Sequence, residues 1–230
     1  WEWIIVNDGS PDAEAMKRLA AIVSGDERIR IVRQENGGTA AARNTGFRNA
    51  KGRYICLLDH DDMLEPTYLE KCALFLDSYP EFAFCNSYNV FFGEQNFLWT
   101  RGFEQNRNYL RANSAPPFAV IRRSAWEECG GFDDTIRILY EDWDFWLQLA
   151  QHSEFRHVDR LTACYRNFGH SGFGLHADAD KITAGRAALF DKWRNIWSGA
   201  ELSEALAALR DGVIHRQPHN RAAESLALER

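Results

Sequence analysis

With 230 residues and 45% hydrophobic side chains, the chain is long enough to bury one substantial core, and it is read as a single domain. A formal net charge of -6 leaves no surplus of Lys and Arg to neutralise a run of phosphates, so no nucleic-acid partner is expected; a small anionic ligand held by one arginine and a metal ion remains compatible. No run approaches the roughly 18 apolar residues of a membrane span, and the odd, widely spaced cysteines Cys56, Cys72, Cys85, Cys129 and Cys164 read as thiols in a reducing compartment rather than as disulfides or zinc ligands.

The apolar run Trp3 to Val6 reads as a buried strand, followed by an Asn7-Asp8-Gly9 turn. Ser10 and Pro11 are then the expected N-cap and first position of a helix. Ile29 to Val32 repeats the strand signal, Gly37-Gly38 supplies a turn, and the alanine-rich stretch Thr39 to Ala50 is a good helix former. Arg53 to Leu58 is the next strand and Pro66 to Ser78 the next helix. Phe82 to Phe92 is strand-like, Gly93 to Pro117 has no clean period, and Phe118 to Ile121 is a short strand. Glu141 to His152 predicts a helix with Trp143, Trp146, Leu147 and Ala150 on one face. A long helix from about Ala177 to Trp197 and a softer one from Glu201 to Asp211 follow, and His215 to Asn220 reads as a loose linker.

Short strands alternating with helices predict an α/β fold, a mostly parallel sheet flanked by helices. Ligands in such sheets gather outside the carboxyl ends of the strands, where Asp8 and the cluster Asp59-His60-Asp61-Asp62 fall. Carboxylates packed this closely repel one another unless a cation joins them, and oxygen ligands suit Mg²⁺ or Mn²⁺. The plainer alternative is a solvated turn whose Asp61 or Asp62 caps the helix beginning near Pro66. For Glu141, Asp142 and Asp144 the corresponding alternative is simple preference for a positive helix N-terminus.

VNDGS, then ENGGTAAARNTGFRNAKGRYICLLDHDD, then GGFDD and YEDWDFW, in this order between Trp3 and Arg166, resemble the signature of family 2 glycosyltransferases. The resemblance implies one GT-A-type, Rossmann-like domain over residues 1–212. Its nucleotide-sugar half is 1–92 and its acceptor half 93–212, with 213–230 a tail or linker. It implies inverting transfer from a nucleoside-diphosphate sugar, a UDP-sugar favoured, to a glycan or other hydroxyl acceptor in glycan or polysaccharide synthesis, with Mn²⁺ or Mg²⁺ as cofactor.

Residue by residue, it makes Asp8 the contact to the nucleotide base, Asn36 and Gly37 the turn that approaches the donor, and Arg43 the guanidinium near base and phosphates. Asp59 is the first acid of the DxD pair, near ribose and metal, Asp61 the principal metal ligand and Asp62 the frequent third acid. Asp142 is the general base. Glu141, Gly131 and Trp143 belong to the acceptor side. His170, two places later than the family's usual spacing after Tyr165-Arg166, is a further metal ligand beside a glycine-rich lid.

Two rivals stay open at this stage. A sugar nucleotidyltransferase shares the general sheet but should open with a glycine-rich, basic phosphate loop. A non-catalytic carbohydrate-binding or scaffold domain would not need acids at Asp8, Asp59, Asp61 and Asp142. The family also implies an upstream strand and helix before Trp3, so the expectation is a piece of a longer polypeptide with an open strand position beside Trp3 to Val6. The setting expected is cytoplasmic, at the inner membrane surface through parts outside this chain.

Overall fold

A computed structural model describes residues 1–94, 96–99, 113, 118–136, 139–152, 154–167 and 178–210. Strand β1 (Trp3–Asp8) is the apolar run WIIVND, and it pairs in parallel with β2 (Ile29–Gln34) in the register Trp3 to Ile29 through Asp8 to Gln34. The intervening helix α1 (Ala13–Val23) is capped by Asp12 and not by Ser10, which corrects the expected start. Asp12 Oδ1 accepts from Glu14 N at 3.0 Å and Ala15 N at 2.9 Å, an ionised cap at the positive end of the helix. Ser10 N donates instead to Asn7 Oδ1 at 2.8 Å and closes the turn after β1.

Helix α2 (Thr39–Asn49) begins after Gly38, strand β3 (Tyr54–Cys56) follows, and a two-residue strand β4 (Met63–Leu64) intervenes before helix α3 (Tyr68–Ser78). Because Thr67 is the N-cap of α3, neither Asp61 nor Asp62 caps it. The chain continues through β5 (Phe82–Gly93), β6 (Phe97–Trp99), β7 (Ala119–Arg122), α4 (Arg123–Cys129), α5 (Glu141–His152), β8 (Glu154–Asn167), α6 (Ala179–Trp193) and α7 (Gly199–Arg210). β4, β6, α4 and β8 were not foreseen. In β8 the charges of EFRHVDR break the apolar pattern, and it becomes a strand through its long parallel ladder to β5. α6 is shorter than expected, capped by Asp178 through Asp180 N and Lys181 N.

The larger sheet has the order β3-β7-β5-β8-β4, with β6 on a later stretch of β5. The long ladders, β1 to β2 and β5 to β8, are parallel, and the short ones through β7, β6 and β4 are antiparallel. Neighbouring residues of β7 and its approach divide between two cores. Ala119 and Ile121 enter the cluster containing Phe47 of α2 with Phe145 and Trp146 of α5. Phe118 and Val120 enter the cluster under Tyr68, Cys72 and Leu76 of α3. The expected apolar face of α5 is confirmed at Trp143, Trp146 and Leu147, all buried.

β1 and β2 stand apart as a two-stranded sheet, so among the described residues one edge of β1 and one edge of β3 carry no strand partner. Among the described residues, that edge of β1 along Trp3 to Val6 is where an open strand position was expected. Glu2 ties the two sheets together at this end, its Oε1 accepting from Lys51 N at 2.6 Å and Gly52 N at 3.2 Å. All five cysteines are free, with Cys72 and Cys85 buried. Among the described residues no helix is long and apolar enough to cross a membrane.

Candidate active site

The end of β1 delivers Asp8 to the start of α2. Its Oδ1 accepts from Gln34 Nε2 at 2.7 Å and Gly37 N at 2.8 Å, and its Oδ2 from Gly38 N at 2.9 Å. Asn36 Nδ2 closes the arrangement on the Asp8 carbonyl at 3.0 Å. Asp8 therefore fixes the turn that leads into α2 by accepting from its backbone amides at Gly37 and Gly38. A Cβ at Gly37 would lie 2.8 Å from Ala41 Cβ, so glycine is what lets this turn sit on the helix.

Five residues along α2, roughly 8 Å at the helical rise, Arg43 forms the centre of the site. Its side chain is 10% exposed; Nη1 meets Glu141 Oε1 at 3.0 Å and Nη2 meets both Asp59 oxygens at 3.4 Å. Burial works against its charge, but Asp59, Glu141 and Asp142 outweigh that, and the guanidinium is held charged above its usual range. One buried cation thus joins the strand-end acids to the start of α5, reaching across 98 residues from Arg43 to Glu141.

The acidic strand end folds as a turn, Asp62 N donating to the Asp59 carbonyl at 3.1 Å. The end of β8 lies against it: Arg166 N donates to Asp62 Oδ1 at 2.8 Å and Arg166 Nε to the Asp61 carbonyl at 2.9 Å. Burial, opposed by the Arg166 amide and reinforced by Asp59 and Asp61, pushes the Asp62 carboxyl up to about 7. Asp62 Oδ2 is buried without a hydrogen-bond partner among the described residues.

Crowded acids with one orphaned oxygen fit a divalent cation. Among the described residues, however, no three His, Cys, Asp or Glu side chains converge as a complete ligand set. Mg²⁺-type sites commonly use one or two carboxylates and leave the other positions to water and substrate phosphates. The residues fit a cation of that kind and do not form a cage of their own.

α5 opens at Tyr140, whose carbonyl accepts from Asp144 N at 2.9 Å and whose φ of 73° is left-handed, a strained geometry for an aromatic residue. Glu141 goes to Arg43. Asp142 is partly buried; its Oδ1 accepts from Trp143 N at 2.8 Å and its Oδ2 from Asn113 Nδ2 at 2.8 Å. Burial and the neighbouring Glu141 push its carboxyl up to about 6, against Arg43 and these two donors.

The Gly131-Phe132 loop is pinned by Asn44 of α2. Asn44 Nδ2 donates to the Phe132 carbonyl at 2.8 Å, and Phe132 N donates to Asn44 Oδ1 at 2.9 Å. Gly131 has φ 87°, and a Cβ there would lie 2.7 Å from Asn44 Oδ1. Behind this loop, buried Asp144 accepts from Trp193 Nε1 at 2.7 Å and Lys192 Nζ at 2.8 Å, while Lys192 also reaches Asp133 Oδ2 at 2.7 Å.

The structure thus brings Asp8, Asn36 and Gly37 together at one end of α2. It brings Arg43, Asp59 and Glu141 together further along, with Asp142 beside Glu141 and Asp61 beside Arg166. Trp143, expected on the acceptor side, is a correction: 4% exposed and edge-on to Tyr140, it belongs to the core, as helical spacing among aromatics usually implies. His170 lies outside the described residues. Asn44 and Asn113 were missed. An asparagine within an alanine-rich helix was the available signal for the first, whereas Asn113 sits in the stretch without a period.

The model of the family described as Glycosyl transferase family 2 matches residues 1–142. Chondroitin synthase of Pasteurella multocida (strain Pm70) is 31% identical over 187 residues, covering 79% of this chain and 18% of that protein. A glycosyltransferase of Bacillus subtilis (strain 168), YwdF, is 30% identical over 189 residues, covering 77% of this chain and 67% of that protein. Among solved structures, Staphylococcus aureus TarS 1–349 superposes with a TM-score of 0.70 at 14% identity, covering 94% of this chain and 64% of that one. The same protein in complex with UDP-GlcNAc gives a TM-score of 0.68 at 16% identity, covering 90% and 63%. The chain therefore spans about a fifth of the synthase and about two thirds of the other two.

Proposed function

Since the chain belongs to glycosyl transferase family 2, we propose that it catalyses inverting transfer of a sugar from a nucleoside-diphosphate donor to an acceptor hydroxyl, in glycan or polysaccharide synthesis. The observation that carries this reading is Asp142: a carboxylate raised to about 6, held at the start of a buried helix beside the Arg43, Glu141 and Asp59 cluster. Such a group is ionised near neutral pH yet basic enough to take a proton in the transition state. A UDP-sugar is the favoured donor, supported by the TarS complexes with UDP and UDP-GlcNAc.

In this mechanism the acceptor O–H proton passes to Asp142. The acceptor oxygen bonds to the anomeric carbon from the face opposite the leaving group, and the bond to the diphosphate oxygen breaks with its electron pair. Arg43 orders both acidic elements and offers positive charge near the diphosphate. Asp59, Asp61 and Asp62 would hold Mn²⁺ or Mg²⁺, which supplies countercharge for the departing diphosphate. Asp8, with Asn36 and Gly37, shapes the end of the site where the nucleotide base is placed. The free thiols suit a cytoplasmic reaction, with attachment to the inner membrane through parts outside these residues.

The test is release of UDP by the full-length protein from UDP-GlcNAc, UDP-glucose, UDP-GalNAc and UDP-glucuronate, with Mn²⁺ and sugar acceptors. Donor turnover is expected, and Asp142→Asn should lower transfer by roughly 10²-fold or more while donor affinity stays nearly intact. Conversion of a sugar phosphate and a nucleoside triphosphate instead would identify a nucleotidyltransferase. Saturable sugar binding without nucleotide release would identify a binding domain.

A further inference from the structure

Helix α2 presents two consecutive polar side chains, Arg43 and Asn44, to the start of α5 and the loop before it. Arg43 goes to Glu141 and Asp59, whereas Asn44, 6% exposed, goes to the backbone of Phe132, 88 residues away. Its Nδ2 donates to the Phe132 carbonyl at 2.8 Å and its Oδ1 accepts from Phe132 N at 2.9 Å. Both ends of the amide are spent on one residue, and turning the amide over would set donor against donor. An apolar side chain of this size would fill the space but strand the Phe132 N–H and C=O. Apolar packing tolerates sliding, while a satisfied two-point hydrogen bond in a buried setting specifies one position.

Phe132 passes this anchor on to α5. Its ring stacks on Phe145 with centroids 4.0 Å apart and 22° between the planes, and the Arg43 guanidinium carbon lies 5.6 Å from the centroid of the same ring. Phe145 stands one turn beyond Asp142, about 4.5 Å along the helix axis. The contacts close a ring: Asn44 to Phe132, Phe132 to Phe145, along α5 to Glu141, Glu141 to Arg43, and back along α2 to Asn44. α2 is itself tied to the strand ends, through Asp8 at its start and through Arg43 to Asp59. The Arg43 side chain alone would leave the spacing of the two elements loose, since it is long and its Asp59 contacts are 3.4 Å.

We propose that Asn44 is a positioning residue for the transfer reaction: through Phe132 and Phe145 it holds α5, and with it Asp142, at a fixed separation from the donor-side acid Asp59. The proposal rests on the reading of Asp142 as general base and names what sets the place of that carboxylate.

Two arms test it on the full-length protein, with Asn44→Ala and the milder Asn44→Ser, which keeps a hydroxyl for one of the two Phe132 contacts. In the first, UDP binding with Mn²⁺ is measured by calorimetry beside transfer from a donor that wild type turns over. Both variants should bind UDP at wild-type stoichiometry with Kd changed by less than about twofold, while kcat falls roughly tenfold or more, because misplacing a reacting group by about 1 Å costs up to about 10²-fold. A merely structural role would lower stoichiometry and kcat together, in proportion to the unfolded fraction. That proportional loss, or an unchanged kcat, would overturn the positioning role.

The second arm needs no turnover. Denaturant midpoints are compared for Asn44→Ser, Glu141→Gln and the double variant. If the clamp and the Arg43 to Glu141 pair belong to one ring, the double variant should lose less than the sum of the single losses. Strict additivity would overturn the link between them. If no donor turns over in wild type, the transferase reading fails, while the midpoints still decide whether Asn44 and Arg43 hold α5 jointly.

Discussion

Asp142→Asn should make the protein more stable at neutral pH as well as less active. In the fold this carboxyl is raised from an ordinary value of 3.8 to about 6, first by burial and then by Glu141. A carboxyl with a raised folded-state pKa contributes its stability while protonated, below about pH 4. That contribution is lost as pH rises through about 6. The difference of about two units corresponds to about 3 kcal/mol at pH 8. An asparagine keeps the shape but cannot accept at both the Asn113 and Trp143 contacts, which returns about 1 kcal/mol and leaves a net gain of about 2.

For a domain of this size the gain is roughly 4–8 °C in Tm at pH 8, and it shrinks and reverses near pH 4, where the carboxyl is protonated and only the lost contacts remain. Calorimetric or fluorescence melting of both proteins from pH 4 to pH 8, with chelator present, measures it. A variant that melts below wild type at pH 8, or a difference independent of pH, would refute the account of Asp142 as a carboxylate held ionised against its surroundings.

Three further outcomes are expected. Mn²⁺ should strengthen UDP binding in calorimetry and Asp61→Ala should abolish the enhancement, since the orphaned Asp62 oxygen shows an acidic turn short of positive charge; equal affinity with Mn²⁺ and with chelator would remove the cation from the site. Gly131→Ala should cost about 2–5 kcal/mol in denaturant unfolding, combining the left-handed backbone with a Cβ 2.7 Å from Asn44 Oδ1; a cost near zero would mean that the Phe132 loop is not pinned as described. Lys192→Met should cost about 2–3 kcal/mol, the usual penalty for stranding a buried carboxylate reduced because the lysine side chain is 30% exposed, and adding Asp144→Asn should recover part of it; a double variant weaker than the single would contradict the pairing.

Much of the framework was legible in the sequence because its causes are local. The apolar, β-branched runs of β1 and β2, the alanine-rich composition of α2 and the 3.6-residue apolar spacing of α5 each act within a few residues of themselves. The ordered acidic motifs pointed to Asp8, Asp59, Asp61 and Asp142, and the solved-structure likeness bears out the GT-A-type fold. Even locally, competition between caps needed the backbone path: Asp12 won over Ser10 because its carboxylate lies under the first amides of α1, and Ser10 N was drawn to Asn7.

What only the tertiary structure decided were partnerships across long stretches of chain. Arg43 to Glu141 and Asn44 to Phe132 join segments with no sequence signature of one another, and each forms because α2 packs beside α5 and its loop. β8 is a strand because β5 supplies its hydrogen bonds, overriding a pattern too charged to declare it. Trp143 went to the core, and Asn113 to Asp142, for the same reason. Composition and period report what a residue favours, while burial, charge environment and free hydrogen-bonding capacity depend on which distant elements close around it.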